Sequence, residues 1–414
     1  MHYFEYKKNE LYCEEVRIKD IVNKVGTPVY IYSLRTALEH FLKLQKAFEN
    51  MDHLICYSVK ANSNLALCHA LAKKGCGADI VSGGELYRAL KAGFPNQKIV
   101  FAGVGKTEEE IEYAIKTNIF MFNVESFPEA ELINKVAKRL RKTGRISIRV
   151  NPDVNPYTHA YITTGKKENK FGISFREAPD FYRKLKKLSN VEVIGIHLHI
   201  GSQIMTPDPY RNSIRRGISL IQKLKKMNIH LSVINIGGGM GIIYKDEHPM
   251  TAQQFADAVL PLIKNLDCKA VLEPGRHIVG NAGILVAKIT YVKKTPVKKF
   301  FIVDAGMNDL IRPPLYDAYH KIQPVLMNGR RKTAEVDVVG PVCESADFFA
   351  KGRILPEMKS GDLLAIMSAG AYGFVMSSNY NTRPRAAEVL VNKNKFRITR
   401  KRENIQDLIR GESI

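Results

Sequence analysis

Eight short apolar runs, each followed by a longer amphipathic segment, dominate the sequence between residues 54 and 273. Such runs indicate buried strands, and the segments between them, for example 65–74 and 128–142, have helical spacing of apolar residues. Repeated strand–helix alternation predicts a parallel sheet with right-handed crossovers. Eight units favour a closed (β/α)8 TIM barrel, and an open doubly wound sheet is the alternative. The predicted strands are 54–60, 78–81, 99–102, 120–124, 146–151, 192–200, 232–236 and 270–273.

Beyond residue 283 the pattern changes to β-rich runs separated by glycine, proline and asparagine, which predicts a second, mainly β domain. The strand-like segment 28–32 comes before the barrel, and we expect it to pair into this second domain. The predicted limits are 34–282 for the barrel domain, and 1–33 with 283–414 for the β domain. Predicted strands of the β domain are 284–292, 300–303, 335–339, 363–367 and 388–391.

A formal charge of +22 raises the question of nucleic-acid binding. The basic clusters at 138–145, 183–187 and 393–402 lie in segments with helical or strand periodicity, without aromatic interleaving or a recognition module. Solvated faces explain them better, so we expect no specific nucleic-acid partner.

Other composition features predict a soluble, globular protein of two domains in the cytoplasm. A chain of 414 residues is long enough for two domains. No apolar run approaches the length of a membrane span and no signal peptide is recognisable at the start, so we expect a cytoplasmic location and no membrane association. The six cysteines form no C-x-x-C pair and no zinc-site spacing with histidine. We therefore expect free thiols and no metal.

Polar or glycine-rich groups follow four predicted strands at their carboxyl ends, where active sites of this barrel lie. Lys60 ends the first strand, 199–203 ends the sixth, 237–241 follows the seventh and 273–276 ends the eighth. A lysine at the end of a buried strand either extends past the strand to solvent, as most lysines do, or serves as a nucleophilic amine kept uncharged by burial. The groups at the same face favour the second explanation.

The polar and glycine-rich groups at these strand ends together predict a cofactor-binding site. Glycines at 237–239 allow backbone N–H groups to approach a phosphate, although tight turns explain most glycine runs. Glu273 places a carboxylate where it would keep a pyridine nitrogen protonated. His199 lies nearer the active end of its strand and can stack on an aromatic ring, whereas His197 fits a core histidine better. The combination predicts a site for pyridoxal 5'-phosphate.

Nine sequence stretches resemble motifs of a known family, the fold-type III pyridoxal-phosphate decarboxylases, and most closely those of its members that act on diaminopimelate. The matching stretches keep the family's order and span nearly the whole chain, so the set is specific. Ser58 and Met240 depart from the common alanine and leucine. The stretches are Tyr57-Ser-Val-Lys-Ala-Asn62, Asn151-Pro-Asp153, Lys167-Glu-Asn-Lys-Phe-Gly-Ile173, His197-Leu-His-Ile-Gly-Ser-Gln203, 237–241, 273–276, Asn308-Asp-Leu-Ile-Arg-Pro-Pro-Leu-Tyr316, Cys343-Glu-Ser-Ala-Asp347 and Gly370-Ala-Tyr-Gly373.

The resemblance implies an alanine-racemase-like barrel with a β domain, in a homodimer whose active sites lie at the subunit interface. It makes Lys60 the Schiff-base lysine, His199 the ring-stacking residue, and Cys343 the proton donor delivered to the neighbouring subunit's site. The implied cofactor contacts are Lys60, Asp79, His199, Ser202, Gly237, Gly238, Gly239, Glu273, Gly275, Arg276 and Tyr372. The implied substrate contacts are Arg276, Arg312, Tyr316, Glu344 and Tyr372.

A carboxylate at the pyridine nitrogen maintains the ring as an electron acceptor, which favours decarboxylation over the racemisation catalysed by relatives with arginine there. Arg276 and Arg312 can bind a distal carboxylate as planar forks, and Glu344 can bind an ammonium. The expected reaction is conversion of meso-2,6-diaminopimelate to L-lysine and carbon dioxide, the last step of that lysine pathway. Burial of Arg312 is a condition of this choice.

Two alternatives remain open. One is decarboxylation of carboxynorspermidine or of a basic amino acid such as ornithine, arginine or lysine. The other is a non-catalytic pyridoxal-phosphate-binding homologue, although Cys343 and the complete second domain count against it. We also expect the polar segment 155–169 to be a mobile loop near the active face.

Overall fold

The computed structural model describes residues 2–154, 170–327 and 332–414. Its strands are β1 (Phe4–Lys7), β2 (Glu10–Cys13), β3 (Val16–Arg17), β4 (Val29–Ser33), β5 (His53–Ser58), β6 (Gly77–Ile80), β7 (Ile99–Phe101), β8 (Met121–Val124), β9 (Gly144–Asn151), β10 (Ile173–Ser174), β11 (Val191–His197), β12 (Val233–Asn235), β13 (Lys269–Leu272), β14 (Gly283–Lys294), β15 (Lys299–Val303), β16 (Ile322–Pro324), β17 (Thr333–Val339), β18 (Phe348–Pro356), β19 (Leu363–Ile366), β20 (Ala387–Asn392) and β21 (Lys395–Arg400). Its helices are α1 (Ile18–Val25), α2 (Leu34–Ala47), α3 (Leu65–Lys73), α4 (Gly83–Ala92), α5 (Glu108–Thr117), α6 (Phe127–Arg139), α7 (Ala178–Leu185), α8 (Asp208–Lys226), α9 (Ala252–Ile263), α10 (Arg276–Val279), α11 (Arg312–Tyr316) and α12 (Ile405–Leu408).

Eight parallel strands close into a barrel in the order β5, β6, β7, β8, β9, β11, β12 and β13, with β13 paired back to β5. The predicted barrel is confirmed, and the alternative of an open sheet is excluded. Each predicted strand overlaps an observed one. The short strand β10, which the sequence did not indicate, pairs in parallel with β9.

Burial explains why these strands were recognisable. All residues of β6, β7 and β8 are buried, because barrel strands are covered on both faces and are therefore almost continuously apolar. The loops that follow end in capped helices. Ser82, Thr107, Ser126 and Thr251 each accept a hydrogen bond from a backbone N–H in the first turn, which fixes where each helix begins after its strand.

A second sheet has the strand order β18, β17, β15, β14, β4, β20 and β21, with β19 and β16 joined to it through β14. Strand β4, which the sequence placed outside the barrel, pairs antiparallel with β14 and parallel with β20. Its five residues are all buried. Strands β1 to β3 form a separate small sheet.

The chain divides into two compact units. One comprises His40–Ile242 with His248–His277, and the other comprises the chain up to Glu39, Ile243–Glu247 and Ile278–Ile414. The domain limits expected from the sequence remain a prediction. Within the described residues, none of the helices combines enough length and apolar character to cross a lipid bilayer. The segment 155–169, expected to be a mobile loop, lies outside the described residues.

A buried ammonium connects two strand ends of the barrel. The side chain of Lys106 is only 1% exposed, and its Nζ lies 2.6 Å from Glu129 Oε1. The same Nζ donates to the carbonyl oxygens of Gly103 at 2.7 Å and Asn123 at 2.9 Å. All three ammonium protons therefore have acceptors, and the ends of β7 and β8 are held to the first turn of α6.

Replacing Lys106 with methionine should lower the free energy of unfolding by about 3–5 kcal/mol, because it leaves the buried Glu129 carboxylate without its partner. The double variant Lys106→Met/Glu129→Gln should recover much of that loss. Urea unfolding followed by circular dichroism measures both. Lys135→Met is the control, since Lys135 pairs with Glu108 while 67% exposed and should change stability by less than about 1 kcal/mol. Equal losses of stability in Lys106→Met and Lys135→Met would show that the buried contacts of Lys106 do not stabilise the fold.

A buried carboxyl lies in the other unit. Asp309 is 2% exposed and its Oδ2 accepts the N–H of Gly306 at 3.0 Å. Burial raises the pKa of Asp309 to about 7, although the Gly306 N–H and the charge of Arg383 act in the opposite direction. The carboxyl of the unfolded chain titrates near pH 4, so between pH about 4 and about 7 only the folded protein keeps this proton.

Stability should therefore fall as pH rises through that window, and Asp309→Asn should remove this contribution. The variant should gain stability relative to the wild type between pH 5 and pH 8, as measured by urea unfolding at a series of pH values. The same substitution at the exposed Asp317 is the control. Parallel pH curves for the wild type and Asp309→Asn would show that the carboxyl does not titrate as described.

Candidate active site at the carboxyl end of the barrel

Lys60 lies immediately after β5, in a single 3-10 turn formed by Val59–Ala61. Its Nζ is 2.9 Å from Oδ2 of Asp79, and its side chain is 37% exposed. The amine is thus held by a carboxylate rather than by full burial, which differs from the buried amine that the sequence indicated. The turn carries the lysine off the strand and places its amine at the end of the neighbouring strand β6.

Asp79 is fully buried. Its Oδ2 also accepts a hydrogen bond from Ser58 Oγ at 2.7 Å. Burial raises the pKa of Asp79, and the Lys60 ammonium offsets part of that rise. Ser58, which replaces the alanine common in the resembling family, therefore has a local role as a donor to this carboxylate.

Glu273 follows β13 and is 4% exposed. Its Oε1 accepts hydrogen bonds from Nδ2 of Asn123 at 2.8 Å and Nδ2 of Asn235 at 2.6 Å, and its Oε2 lies 3.1 Å from Nε2 of His197. Burial alone would raise the pKa of Glu273, but His197 and the charge of Lys60 outweigh it and the pKa is lowered. The carboxylate is therefore ionised at neutral pH.

Sequence reasoning missed Asn123 and Asn235 and described His197 only as a core residue. A signal was present: each asparagine is a polar residue inside a short apolar strand, and both are fully buried. Buried amides need partners, so these positions marked a polar group nearby. His197 is buried as expected, and its contact with Glu273 adds a role.

The glycine loop after β12 requires glycine at specific positions. Gly237 and Gly239 have φ values of +72° and +98°, a region that other residues rarely adopt. A Cβ on Gly238 would lie 2.0 Å from the carbonyl oxygen of Glu273. The loop therefore packs its backbone directly against the end of β13.

Three further predicted site residues are His199, Ser202 and Arg276, of which His199 contacts the glycine loop. Gly238 N–H donates to Nδ1 of His199 at 3.3 Å. Burial lowers the pKa of His199 well below its usual value, and Arg149 and Lys60 lower it further, so the imidazole is neutral and offers a flat face. Arg276 donates to Ser202 Oγ through Nε at 3.3 Å and Nη2 at 3.1 Å.

Gly275 is tightly packed between β5 and the turn that carries Lys60. A Cβ there would lie 3.0 Å from the Cβ atoms of Ala61 and Ser58.

One ring nitrogen each of His197 and His199 and a carboxylate oxygen of Glu273 lie within 4.8 Å of one another, a grouping that could hold a metal ion. Two amides already donate to Glu273 Oε1, and the absence of a metal site remains our prediction.

The other predicted substrate contacts lie in the second unit. Arg312 begins α11 and is 6% exposed. Its Nη1 donates to the hydroxyl of Tyr244 at 2.8 Å and lies 3.3 Å from Nε2 of His320. Both neighbours are uncharged in this arrangement, because the other ring nitrogen of His320 donates to the Met367 carbonyl. Burial of Arg312, the condition set from the sequence, is met.

The remaining residues differ in exposure. Cys343 and Glu344 are exposed, and the N–H of Cys343 donates to Oδ1 of Asn381 at 2.9 Å. Tyr316 is half-buried at the end of α11. Tyr372 is also half-buried and has a φ of +56°, a left-handed conformation that costs energy for a tyrosine and is common at functional positions.

Comparison with known proteins agrees with this chemistry. Residues 34–280 match the family described as "Pyridoxal-dependent decarboxylase, pyridoxal binding domain". The diaminopimelate decarboxylase of Aquifex aeolicus is 50% identical over 98% of this chain and 96% of its own length. That of Vibrio cholerae is 48% identical over 100% and 99%.

A solved structure gives the same result. The diaminopimelate decarboxylase of Helicobacter pylori, crystallised with L-lysine, is 43% identical, with a TM-score of 0.91 over 95% of this chain and 98% of that one. This chain belongs to the diaminopimelate decarboxylase family. The predicted family and fold class are therefore confirmed.

A diaminopimelate decarboxylase uses pyridoxal 5'-phosphate, as the sequence predicted. The barrel residues fit that group: the ionised Glu273 suits a protonated ring nitrogen, and the glycines at 237–239 place no side chain between their backbone and a phosphate. The amine of Lys60 is available at the same end of the barrel. The individual residue roles remain proposals.

Proposed function

We propose that this enzyme decarboxylates meso-2,6-diaminopimelate to L-lysine and carbon dioxide. The observation that carries the reaction type is the buried Glu273 carboxylate, held ionised by two amides and an imidazole. When bound, pyridoxal 5'-phosphate supplies a carbonyl carbon for amines and a protonated ring that accepts the electrons released as carbon dioxide leaves. Glu273 keeps a proton on the ring nitrogen.

The other barrel residues orient the cofactor and manage protons. Lys60 Nζ is the amine that would hold the cofactor, and Asp79 Oδ2, 2.9 Å away, keeps this amine in place and compensates its positive charge. His199 presents its neutral imidazole to the ring. We assign the phosphate side to Gly275, the Ser202–Arg276 pair and the glycine loop 237–239, in which the N–H groups of Gly237 and Gly238 donate to Asn235 and His199.

Substrate choice depends on Arg312. Its guanidinium is buried, and its carbon Cζ lies 4.8 Å from the centre of the Tyr244 ring. A distal substrate carboxylate would neutralise it as a bidentate partner. Ornithine-like substrates lack that carboxylate and would forgo this ion pair, which we expect to lower their selectivity by roughly two to four orders of magnitude. We assign the distal ammonium to Glu344 and further contacts to Arg276, Tyr316 and Tyr372.

The proton that replaces the lost carboxyl group comes from Cys343 in this proposal. A donor thiol must be accessible, and Cys343 is exposed, whereas the other cysteines, all within the described residues, are buried or half-buried. We further propose a cytoplasmic homodimer in which Cys343 and Glu344 complete the site of the neighbouring subunit. Their exposure in a single chain supports that assignment.

Incubating the purified holoenzyme with meso-diaminopimelate, ornithine, lysine and carboxynorspermidine in parallel tests the substrate. Lysine should form selectively from diaminopimelate, with carbon dioxide released in equal amount. Arg312→Met should lower kcat/KM for diaminopimelate by at least about a hundredfold and reduce the preference over ornithine. Preference of the wild type for another substrate would remove the assignment, and no release from any would favour a non-catalytic homologue.

Cys343→Ala should slow turnover strongly while leaving the visible absorption of the bound cofactor unchanged, because the thiol acts after the cofactor is in place. Cys268→Ala is the matched control: its half-buried thiol donates to the Leu231 carbonyl in the barrel unit, outside the proposed site. Turnover of Cys343→Ala equal to that of the control would exclude the donor role. Mixing Lys60→Ala with Cys343→Ala should restore part of the activity, since mixed dimers contain one complete site.

A further inference from the structure

One side chain of the barrel connects two parts of the cofactor seat. Asn235 is the last residue of β12 and is fully buried. Its Nδ2 donates to Oε1 of Glu273 at 2.6 Å, and its Oδ1 accepts the N–H of Gly237 at 2.9 Å. A single amide therefore bonds both to the ring-nitrogen carboxylate and to the first glycine of the phosphate-binding loop.

The orientation of this amide is determined by its partners. A carboxylate only accepts hydrogen bonds and a backbone N–H only donates one. Flipping the Asn235 amide would put its oxygen against Glu273 and its NH2 against the N–H of Gly237, so both bonds would become repulsive. The amide is thus a short, rigid connection between the carboxylate and the loop.

Backbone contacts strengthen the same connection. Glu273 N–H donates to the Gly237 carbonyl at 2.8 Å, and Gly238 approaches the Glu273 carbonyl so closely that no Cβ fits. A shift of the loop therefore moves the carboxylate, and the reverse is also true.

Asn123 provides an internal comparison. Its Nδ2 donates to the same carboxylate oxygen, Glu273 Oε1, at 2.8 Å, and it is equally buried. Its Oδ1 has no hydrogen-bond partner among the described residues, and its backbone carbonyl accepts a hydrogen bond from Lys106 Nζ at 2.9 Å. Asn123 thus supports the carboxylate without a bond to the glycines.

We propose that Asn235 is a positioning residue that couples the ring-nitrogen carboxylate to the phosphate-binding loop, so that the cofactor's ring nitrogen and phosphate are bound cooperatively. Asn123 orients the carboxylate alone. This inference rests on the cofactor assignment made above and adds to it the residue that joins the two contacts.

The test measures equilibrium binding of three ligands to the apoenzyme by calorimetry. The ligands are pyridoxal 5'-phosphate, pyridoxal, which lacks the phosphate, and an analogue of pyridoxal 5'-phosphate in which a C–H replaces the ring nitrogen. The factor by which affinity falls when the phosphate is removed is the phosphate contribution. The factor by which affinity falls when the ring nitrogen is replaced is the nitrogen contribution. The two contributions are compared in the wild type, Asn235→Ala and Asn123→Ala.

In Asn235→Ala both contributions should shrink, the nitrogen factor by about tenfold or more and the phosphate factor by about three- to tenfold, since a bond to a charged group and one to a neutral group are lost. In Asn123→Ala only the nitrogen factor should shrink. Asn235→Ser, which keeps a polar group in the buried site, should behave as Asn235→Ala and serves if alanine prevents folding.

Equal effects of the two alanine variants on both factors, or an unchanged phosphate factor in both Asn235 variants, would overturn the proposed coupling. Failure of the wild-type apoenzyme to bind pyridoxal 5'-phosphate would overturn the cofactor assignment and this inference together. Normal cofactor binding and lysine formation by the wild type, with no difference between Asn235 and Asn123 variants, would overturn the coupling alone.

Discussion

A buried carboxylate, Glu273, is the interaction on which the rest of the barrel site depends. Burying a charge in a protein is costly unless every lone pair that matters finds a donor. Here Asn123 and Asn235 donate to one carboxylate oxygen and the imidazole of His197 lies 3.1 Å from the other, and the three side chains come from three different strands. His197 and Asn235 are register partners across β11 and β12, so the closed barrel places them in one layer beneath the carboxylate.

The side chains around Glu273 also contact other parts of the site that are distant in sequence. Asn235 continues the connection into the glycine loop, and Lys106 secures the backbone of Asn123 while neutralising Glu129. On the other side, the Asp79 carboxylate holds Lys60 through a second ion pair. The cofactor seat is therefore a set of paired charges supported by a barrel whose strand ends are fixed by capped helices.

Sequence reasoning succeeded where local pattern and chemistry agree. The barrel strands are apolar runs because both of their faces are covered, and the glycine loop is recognisable because its backbone conformations exclude other residues. It failed for single polar residues within short strands. Asn123 looked like an interruption of an apolar run, since its partner Glu273 lies 150 residues away. The partial exposure of Lys60 was equally invisible, because it depends on a turn after the strand.

The sequence by itself determined the eight barrel strands, the family and the cofactor, because these follow from periodicity and from the motifs at the strand ends. Only the tertiary structure decided that Glu273 is ionised, that His197 is its partner and that Arg312 is buried. Those properties depend on which side chains from distant segments meet and on how much water they exclude. Neither quantity is encoded in any single stretch of the chain.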